Sequence, residues 1–131
     1  MLIKIVSREL TMMTTMFFIN TLLYANFNRL TEKCYALLVY IWPNQKADIL
    51  CRLGWVYERH NNIDRAISCF NEALELKPND AMNYFYLGTL HELKGNKSHA
   101  IDYYKHALNL GVDFGSEFKL QLHKKIDQLQ Q

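Results

Sequence analysis

The side chains of this sequence best suited to chemistry are its cysteines and histidines, because thiolates and imidazoles bind transition metals and act in catalysis. They are Cys34, Cys51, Cys69, His60, His91, His99, His106 and His123. No CxxC, HxxxH or HExxH spacing occurs among them, and His99 and His106 are seven positions apart. That spacing corresponds to about two helical turns, too wide for one metal ion without further ligands. The sequence therefore predicts no metal site and no cofactor.

The other catalytic patterns give no support for an enzyme either. The five glycines form no phosphate-binding loop, and no GxSxG sequence occurs. Each cysteine is flanked by apolar residues at helical spacing, which predicts small buried side chains rather than reactive thiols. An odd number of cysteines without a disulfide pattern favours a reducing compartment. We therefore predict a cytoplasmic protein that is not an enzyme.

Length and composition favour a single all-α domain. The chain has 131 residues, of which 50% are hydrophobic and 21% charged, a balance typical of globular proteins. Five glycines and two prolines are too few for the many turns of an all-β fold. The formal net charge of +2 is too small to indicate nucleic acid or an anionic membrane as a partner.

The amino-terminal region raises the question of a membrane segment. Residues 10–28 carry no charged side chain, but threonines and asparagines interrupt the apolar run. The run therefore falls short of the roughly twenty apolar residues of a membrane helix. Glu9 at its edge and a poor cleavage site near Ala25 disfavour a signal peptide. We predict a buried helix here, preceded by a loosely ordered segment, residues 1–9.

The central part of the sequence repeats itself with a period of 34, so that residues 47–80 align with residues 81–114. The identical pairs are Ala47/Ala81, Leu53/Leu87, Gly54/Gly88, Glu58/Glu92, Asn62/Asn96, Ala66/Ala100, Ile67/Ile101, Ala73/Ala107, Leu74/Leu108 and Leu76/Leu110. Repeats of this length indicate stacked supersecondary units, each of which buries its apolar face against its neighbours.

Within a repeat, the matching residues fall where two antiparallel helices must touch. In the first repeat, Leu53, Gly54 and Tyr57 share one face of a first helix. Ala66 and Phe70 share one face of a second helix. We predict that the two small residues let the helix backbones approach closely and that the two rings fill the space beside them.

Turn and capping residues divide the repeats. Asn61-Asn62 and Gly95-Asn96 supply the tight turns between helices, because asparagine and glycine tolerate left-handed backbone. Pro78 ends the first repeat, since proline cannot continue a helix. Asp80 is then predicted to cap the next helix by accepting hydrogen bonds from its first amides.

This pattern resembles the tetratricopeptide repeat family, whose period is 34 and whose motif is W-x2-L-G-x2-Y, then A-x3-F, then P. The motif positions hold Leu50, Leu53, Gly54, Tyr57, Ala66, Phe70 and Pro78 in the first repeat, where only the leading aromatic is replaced, and Tyr84, Leu87, Gly88, His91, Ala100 and Tyr104 in the second. Val112 stands where the second proline is expected. The resemblance implies an all-α helix-turn-helix solenoid of about three repeats with a carboxy-terminal capping helix.

The expected organisation is one domain, residues 10–131, with a degenerate repeat at 10–43, repeats at 47–80 and 81–114, and a capping helix at 116–129. A shift of 35 supports the degenerate repeat, because it aligns Pro43 with Pro78 and Cys34 with Cys69. The capping helix is indicated by the apolar stripe Phe118, Leu122, Ile126 and Leu129. The expected helices are 10–25, 29–42, 47–60, 64–76, 81–94, 97–110 and 116–129.

The resemblance also implies a function, since the first helices of such repeats line a concave groove that holds a peptide or helix of another protein. The positions that would face this groove are Met13, Met16, Asn20, Cys51, Trp55, Glu58, Arg59, Met82, Phe85, Thr89 and Glu92. The set is rich in apolar and aromatic side chains, which favours an apolar segment of a partner protein. Some members clamp acidic carboxy-termini with lysine and asparagine, but Cys51 and Trp55 stand at those places here.

Several interpretations stay open. Compact tetratricopeptide proteins include the chaperones of bacterial type III secretion, and this chain resembles them in size and in its degenerate first repeat. The alternative interpretation of Trp55, Met82 and Phe85 is packing between repeats. The alternative functions are a structural scaffold that self-associates as a homo-oligomer, and a membrane-tethered adaptor anchored by its first helix.

Overall fold

The computed structural model describes residues 29–110 and 115–131, and no strand occurs in these two ranges. The chain divides into two compact units, residues 1–41 and 42–131. The described part of the first unit is helix α1, Arg29–Ile41, in which Tyr35 and Leu38 are buried while Leu37 and Tyr40 are exposed. The helix expected at 10–25 and the loosely ordered segment 1–9 lie outside the described residues.

The second unit begins with a short 3-10 turn, Pro43–Gln45, and continues with five helices. These are α2 (Lys46–Arg59), α3 (Ile63–Leu76), α4 (Ala81–Leu93), α5 (Lys97–Asn109) and α6 (Ser116–Gln130). All five begin and end within one residue of the bounds expected from the sequence, and the all-α fold class is confirmed. Within residues 29–110 and 115–131, no helix combines the length and the apolar character that crossing a bilayer requires.

The two turns between paired helices have the same geometry in both repeats. Asn61 has φ 58° and Gly95 has φ 78°, so both occupy the left-handed region that asparagine and glycine tolerate. The amide of the next residue donates a hydrogen bond to a carbonyl of the preceding helix. Asn62 donates to Tyr57 at 2.8 Å, and Asn96 donates to His91 at 2.9 Å. These bonds satisfy carbonyls that a helix end would otherwise leave unpaired.

The predicted cap of α4 is confirmed. The Asp80 side chain accepts hydrogen bonds from the amides of Met82 and Asn83, at 3.0 and 3.3 Å. At the start of α5, Asn96 holds the corresponding position, but its side chain makes no capping bond. The two helices of the second repeat therefore begin differently, since only α4 has a side-chain cap.

Each helix pair is built around one aromatic ring that lies against one glycine. In the first pair, the ring of Phe70 on α3 lies over Gly54 on α2, where an added Cβ would come within 2.8 Å of the ring. In the second pair, Tyr104 on α5 lies over Gly88 on α4, where the same distance is 2.5 Å. Both rings are fully buried, as predicted from the small residues of the motif.

The two pairs are joined by aromatic stacking and by one ion pair, and a second ion pair lies within the first pair. Tyr86 on α4 stacks on Phe70 of the first pair with ring centroids 5.4 Å apart. The Lys77–Asp48 ion pair (2.7 Å) joins the end of α3 to the start of α2, and the Lys94–Asp64 pair (2.6 Å) joins the end of α4 to the start of α3. Exposed ion pairs contribute little, so the rings carry most of the packing between pairs.

Helix α6 covers the open side of the second pair. Its Leu122 and Ile126 are buried in one cluster with Ala100 and Tyr104 of α5, and Phe118 and Leu129 pack around that cluster. These four α6 residues are the stripe expected from the sequence. The helix thereby shields the apolar surface that a following repeat would otherwise cover.

Candidate functional site

The candidate site is the surface formed by the first helices of the repeats, α2 and α4, together with α6. Between α2 and α4 this surface holds a cavity of about 310 Å³. Its apolar and aromatic wall consists of Cys51, Trp55, Met82 and Tyr86, and its charged rim of Asp48, Arg52 and Asp80. We call this cavity the α2–α4 groove.

Trp55 and Met82 are the apolar side chains of the groove that remain open to solvent. Each is 38% exposed, whereas most apolar side chains of the repeats are buried or half-buried. The indole of Trp55 meets the ring of Tyr86 edge to face, with centroids 5.3 Å apart. Because Tyr86 in turn stacks on the buried Phe70, the core holds Trp55 in place from below.

The floor of the groove is polar but internally satisfied. The Cys51 thiol donates a hydrogen bond to Oδ1 of Asn83 at 2.9 Å, and Nδ2 of Asn83 donates to Asp80 at 3.2 Å. Asn83 is only 2% exposed. Burial raises the pKa of Cys51 above its ordinary value, so the thiol stays protonated and serves as a donor rather than a nucleophile.

Phe85 lies on the same helix face but is covered by α6. Its ring meets Phe118 edge to face at 5.1 Å and lies 5.9 Å from Tyr104. Phe85 is half-buried in this cluster. The structure thus places Phe85 in a hydrophobic contact with the capping helix, beside the α2–α4 groove rather than inside it.

Thr89 and Glu92 are occupied by contacts of the second repeat. The Tyr104 hydroxyl donates to Glu92 Oε2 at 2.7 Å and lies 3.4 Å from Thr89 Oγ1. Lys125 of α6 approaches the same carboxylate oxygen at 3.0 Å and lies over the Tyr104 ring. Burial raises the pKa of Tyr104 above its ordinary value, so the phenol remains a donor at neutral pH.

The remaining predicted positions fall at the edges or outside the described residues. Glu58 is half-buried and Arg59 is exposed, both in the last turn of α2. Met13, Met16 and Asn20 lie outside the described residues. Of the predicted set, the structure therefore brings Cys51, Trp55 and Met82 together around one cavity.

Asn83 and Tyr86 are among the groove residues that sequence reasoning missed. Asn83 aligns with Ile49 of the first repeat, and Tyr86 aligns with Arg52. The sequence held one signal for Asn83, because the aligned residue of the first repeat is apolar and a polar residue at such a position is unusual. Tyr86 had no comparable signal, because its role depends on the ring of Phe70 in the preceding helix pair.

Metal chemistry finds no support in this part of the molecule. Among residues 29–110 and 115–131, no group of three or more histidine, cysteine or acidic side chains is placed to hold a metal ion. The three cysteines are free thiols, and Cys69 is buried while the other two are half-buried. Burial raises the pKa of Cys69 to about 12, which suits a structural residue.

Residues 47–80 and residues 83–110 each match a family described as "Tetratricopeptide repeat". The chain is 28% identical over 92 residues to the peroxisomal targeting signal receptor of Candida albicans. That match covers 68% of this chain but only 16% of the receptor. The chain therefore corresponds to a small part of the curated relative.

Solved structures share the fold at low sequence identity. The type III secretion translocator chaperone SycD of Yersinia enterocolitica is 14% identical with a TM-score of 0.66, covering 76% of this chain and 70% of its own. MamA is 22% identical with a TM-score of 0.60, and the match covers 74% of this chain and 53% of MamA. A tetratricopeptide repeat domain protein from Salinibacter ruber is 24% identical with a TM-score of 0.55. The match covers 63% of this chain and 85% of that protein.

The two family matches coincide with the two helix pairs, and the motif residues in them occupy the positions that close each pair. Tetratricopeptide repeats are modules of protein–protein interaction, and stacked repeats of this kind present extended binding surfaces. Residues 47–80 and 83–110 are therefore two tetratricopeptide repeats, each formed by one of the helix pairs.

Proposed function

We propose that the protein is a non-catalytic binding module that holds a peptide or helical segment of a partner protein in the α2–α4 groove. The observation that carries this proposal is the pair Trp55 and Met82, each 38% exposed above a cavity of about 310 Å³. Aromatic side chains of this kind are the usual energetic anchors of protein interfaces. Methionine adapts its shape to varied apolar partners.

A chaperone role is the specific form of this function that we propose. Its support is the fold shared with SycD, which is described as a type III secretion translocator chaperone. The free thiols of Cys34, Cys51 and Cys69 support a reducing compartment such as the cytoplasm. Co-expression of a candidate cargo tests the role, because a chaperone must raise the soluble fraction of its cargo and Trp55→Ala must reduce that gain.

The partner itself is identified by placing a photo-crosslinking residue in the groove. The residue replaces Trp55 in one variant and Leu76 in the control, since Leu76 is also exposed (49%) but lies at the end of the second helix α3. We expect a crosslinked partner from position 55 and none from position 76. Equal crosslinking from both positions would contradict a specific groove.

Titration of the identified partner then separates contact residues from packing residues. We expect Trp55→Ala and Met82→Ala each to weaken binding about tenfold, since 1.4 kcal/mol corresponds to one decade in affinity. Leu76→Ala should leave the affinity unchanged. Undiminished affinity in both groove variants would overturn the proposal.

Thermal unfolding of the same variants shows whether each change acts on the fold. Trp55→Ala should lower Tm much less than Phe70→Ala, which removes a fully buried ring. Phe85→Ala should lower Tm as well, because Phe85 contacts Phe118 and Tyr104. Loss of affinity in Phe85→Ala alone would therefore indicate damage to the capping helix rather than loss of a direct contact.

A self-associating scaffold is the second candidate function. The observation in its favour is the exposed apolar side of α1, where Leu37 is 58% and Tyr40 84% exposed. Sedimentation equilibrium of the chain and of Tyr40→Glu tests it. An oligomer that Tyr40→Glu converts to a monomer would support the scaffold, and a monomeric parent chain would exclude it.

A further inference from the structure

The second repeat carries a histidine where the repeat motif has tyrosine. His91 on α4 aligns with Tyr57 on α2, the residue that completes the motif in the first repeat. The imidazole of His91 lies between two rings of α5, with centroids 5.3 Å from His99 and 5.2 Å from Tyr103. Both contacts are stacked, with interplanar angles of 24° and 26°. A titratable ring therefore lies in the contact between α4 and α5.

The surroundings of His91 suit its neutral form. Its Nδ1 is buried and has no hydrogen-bond partner among the described residues. In the neutral ring this atom can be an unpaired acceptor, but protonation would turn it into a buried charged donor without an acceptor, which costs more. Burial lowers the pKa of His91 below its ordinary value, and the positive charges of His99 and Lys94 lower it further.

The charges that act on His91 come from α5 and from the residue that follows α4. That residue, Lys94, forms an ion pair with Asp64 of α3 at 2.6 Å. His99 and the phenol Tyr103 face His91 from α5. Within the described residues, the cationic forms of His99 and Lys94 act on His91, and each disfavours a proton on it. A second positive charge on the stacked pair would therefore meet repulsion rather than compensation.

The first repeat lacks an imidazole at the position of His91. Tyr57 is buried, and its hydroxyl accepts a hydrogen bond from Arg65 at 3.4 Å. A phenol does not titrate between pH 5 and 8, whereas an imidazole does. The two repeats share one architecture but differ at this position in their response to acid.

We propose that the stacked pair His91 and His99 is an acid-sensitive switch, which loosens the contact between α4 and α5 of the second repeat when the solution becomes acidic while the first repeat stays closed. The sign follows from linkage. The unfolded second repeat takes up the proton more readily than the folded one, so the unfolding free energy falls as the pH falls.

Amide hydrogen exchange of the full chain tests the proposal repeat by repeat. Protection factors, corrected for the intrinsic pH dependence of exchange, are measured for α3 and α5 amides at pH 7.5 and pH 5.0. We expect protection in α5 to fall about tenfold relative to α3, since one proton taken up changes the equilibrium by up to one decade per pH unit. A constant ratio between the two helices would overturn the switch.

Two variants and a control assign the effect to the pair. His91→Tyr restores the motif residue and should abolish the relative loss of protection, and His99→Gln should reduce it. His123→Gln removes an exposed histidine on α6 and should behave like the parent chain. The proposal would be overturned if His91→Tyr still showed the full loss of α5 protection at pH 5.0. If His91→Tyr fails to fold, the same result in His99→Gln would overturn it. So would an NMR titration in which the imidazole of His91 gains its proton as readily as in the unfolded chain.

Discussion

At the scale of single residues, the packing of each repeat depends on the missing side chain of one glycine. We predict that Gly88→Ala destabilises the protein by about 1–2 kcal/mol, although alanine favours helix by about 1 kcal/mol. The new Cβ would lie 2.5 Å from Tyr104, whose ring is buried and tied to Glu92 by its hydroxyl. Chemical denaturation of the variant measures the change.

Two further glycines supply the comparison for that prediction. Gly54→Ala meets Phe70 at 2.8 Å, and that ring has no hydroxyl to hold it, so we expect a smaller loss. At Gly115, which precedes α6, an added Cβ meets nothing within 4 Å, so Gly115→Ala should cost less than about 1 kcal/mol, from the weaker helix cap alone. A ranking in which Gly115→Ala is the most destabilising would contradict this account of the pairs.

The sequence predicted these contacts because they are local and repeated. Gly54, Phe70 and their counterparts lie within one helix pair, so the 34-residue period placed them correctly. The covering of Phe85 by Phe118 was not predictable in the same way, because it depends on the angle at which α6 returns to the second repeat. Residue types alone gave Phe85 and Trp55 the same expected exposure.

At the scale of elements, the two helices of the second repeat are capped differently, and this difference is testable. We predict that Asp80→Ala lowers stability by about 1 kcal/mol, because the side chain caps α4 through the amides of Met82 and Asn83. Its carboxylate also accepts from the Asn83 side chain. The unfolding free energy of the variant, from urea titration, measures the effect.

Asn96→Ala is the matched control for that change. Asn96 begins α5 in the same repeat, but its side chain makes no capping bond, so its removal should cost little. Equal losses in the two variants would show that the capping bond of Asp80 does not distinguish the two helix starts.

For helix α6, the periodic pattern predicted the buried side but not the polar contact with α4. The stripe from Phe118 to Leu129 predicted which side faces the protein, and Leu122 and Ile126 are indeed buried. Lys125 is not part of this stripe, yet it is half-buried and pairs with Glu92 at 3.0 Å. Its partner lies 33 positions earlier on a different helix, and helical periodicity carries no information about such a contact.

At the scale of the whole molecule, residues 47–110 form the part that we expect to resist opening. Helices α2 to α5 each contribute at least one side chain that is no more than 1% exposed: Ile49, Phe70, Leu87 and Tyr104. We predict that mild digestion with a nonspecific protease cuts outside this range first. Cleavage needs a locally opened backbone, and opening any of these helices exposes core.

Mass spectrometry of the early fragments provides the measurement. The 77–80 connection and the turn at Asn61 are exposed, so they are the sites at which an early internal cut would appear. First cuts there would mean that the repeats open separately. Digestion in denaturant, where all sites become available, serves as the control.

The exposed indole of Trp55 also gives the groove its own optical signal. The chain has two tryptophans, so replacing Trp42 by phenylalanine leaves Trp55 as the single indole emitter. A bound segment that covers the 38% exposed ring would exclude water from it and move its emission to shorter wavelengths. Tyr86, with its ring 5.3 Å away, would pass excitation energy to the same indole. Occupancy of this surface can therefore be followed without attaching a dye to either protein.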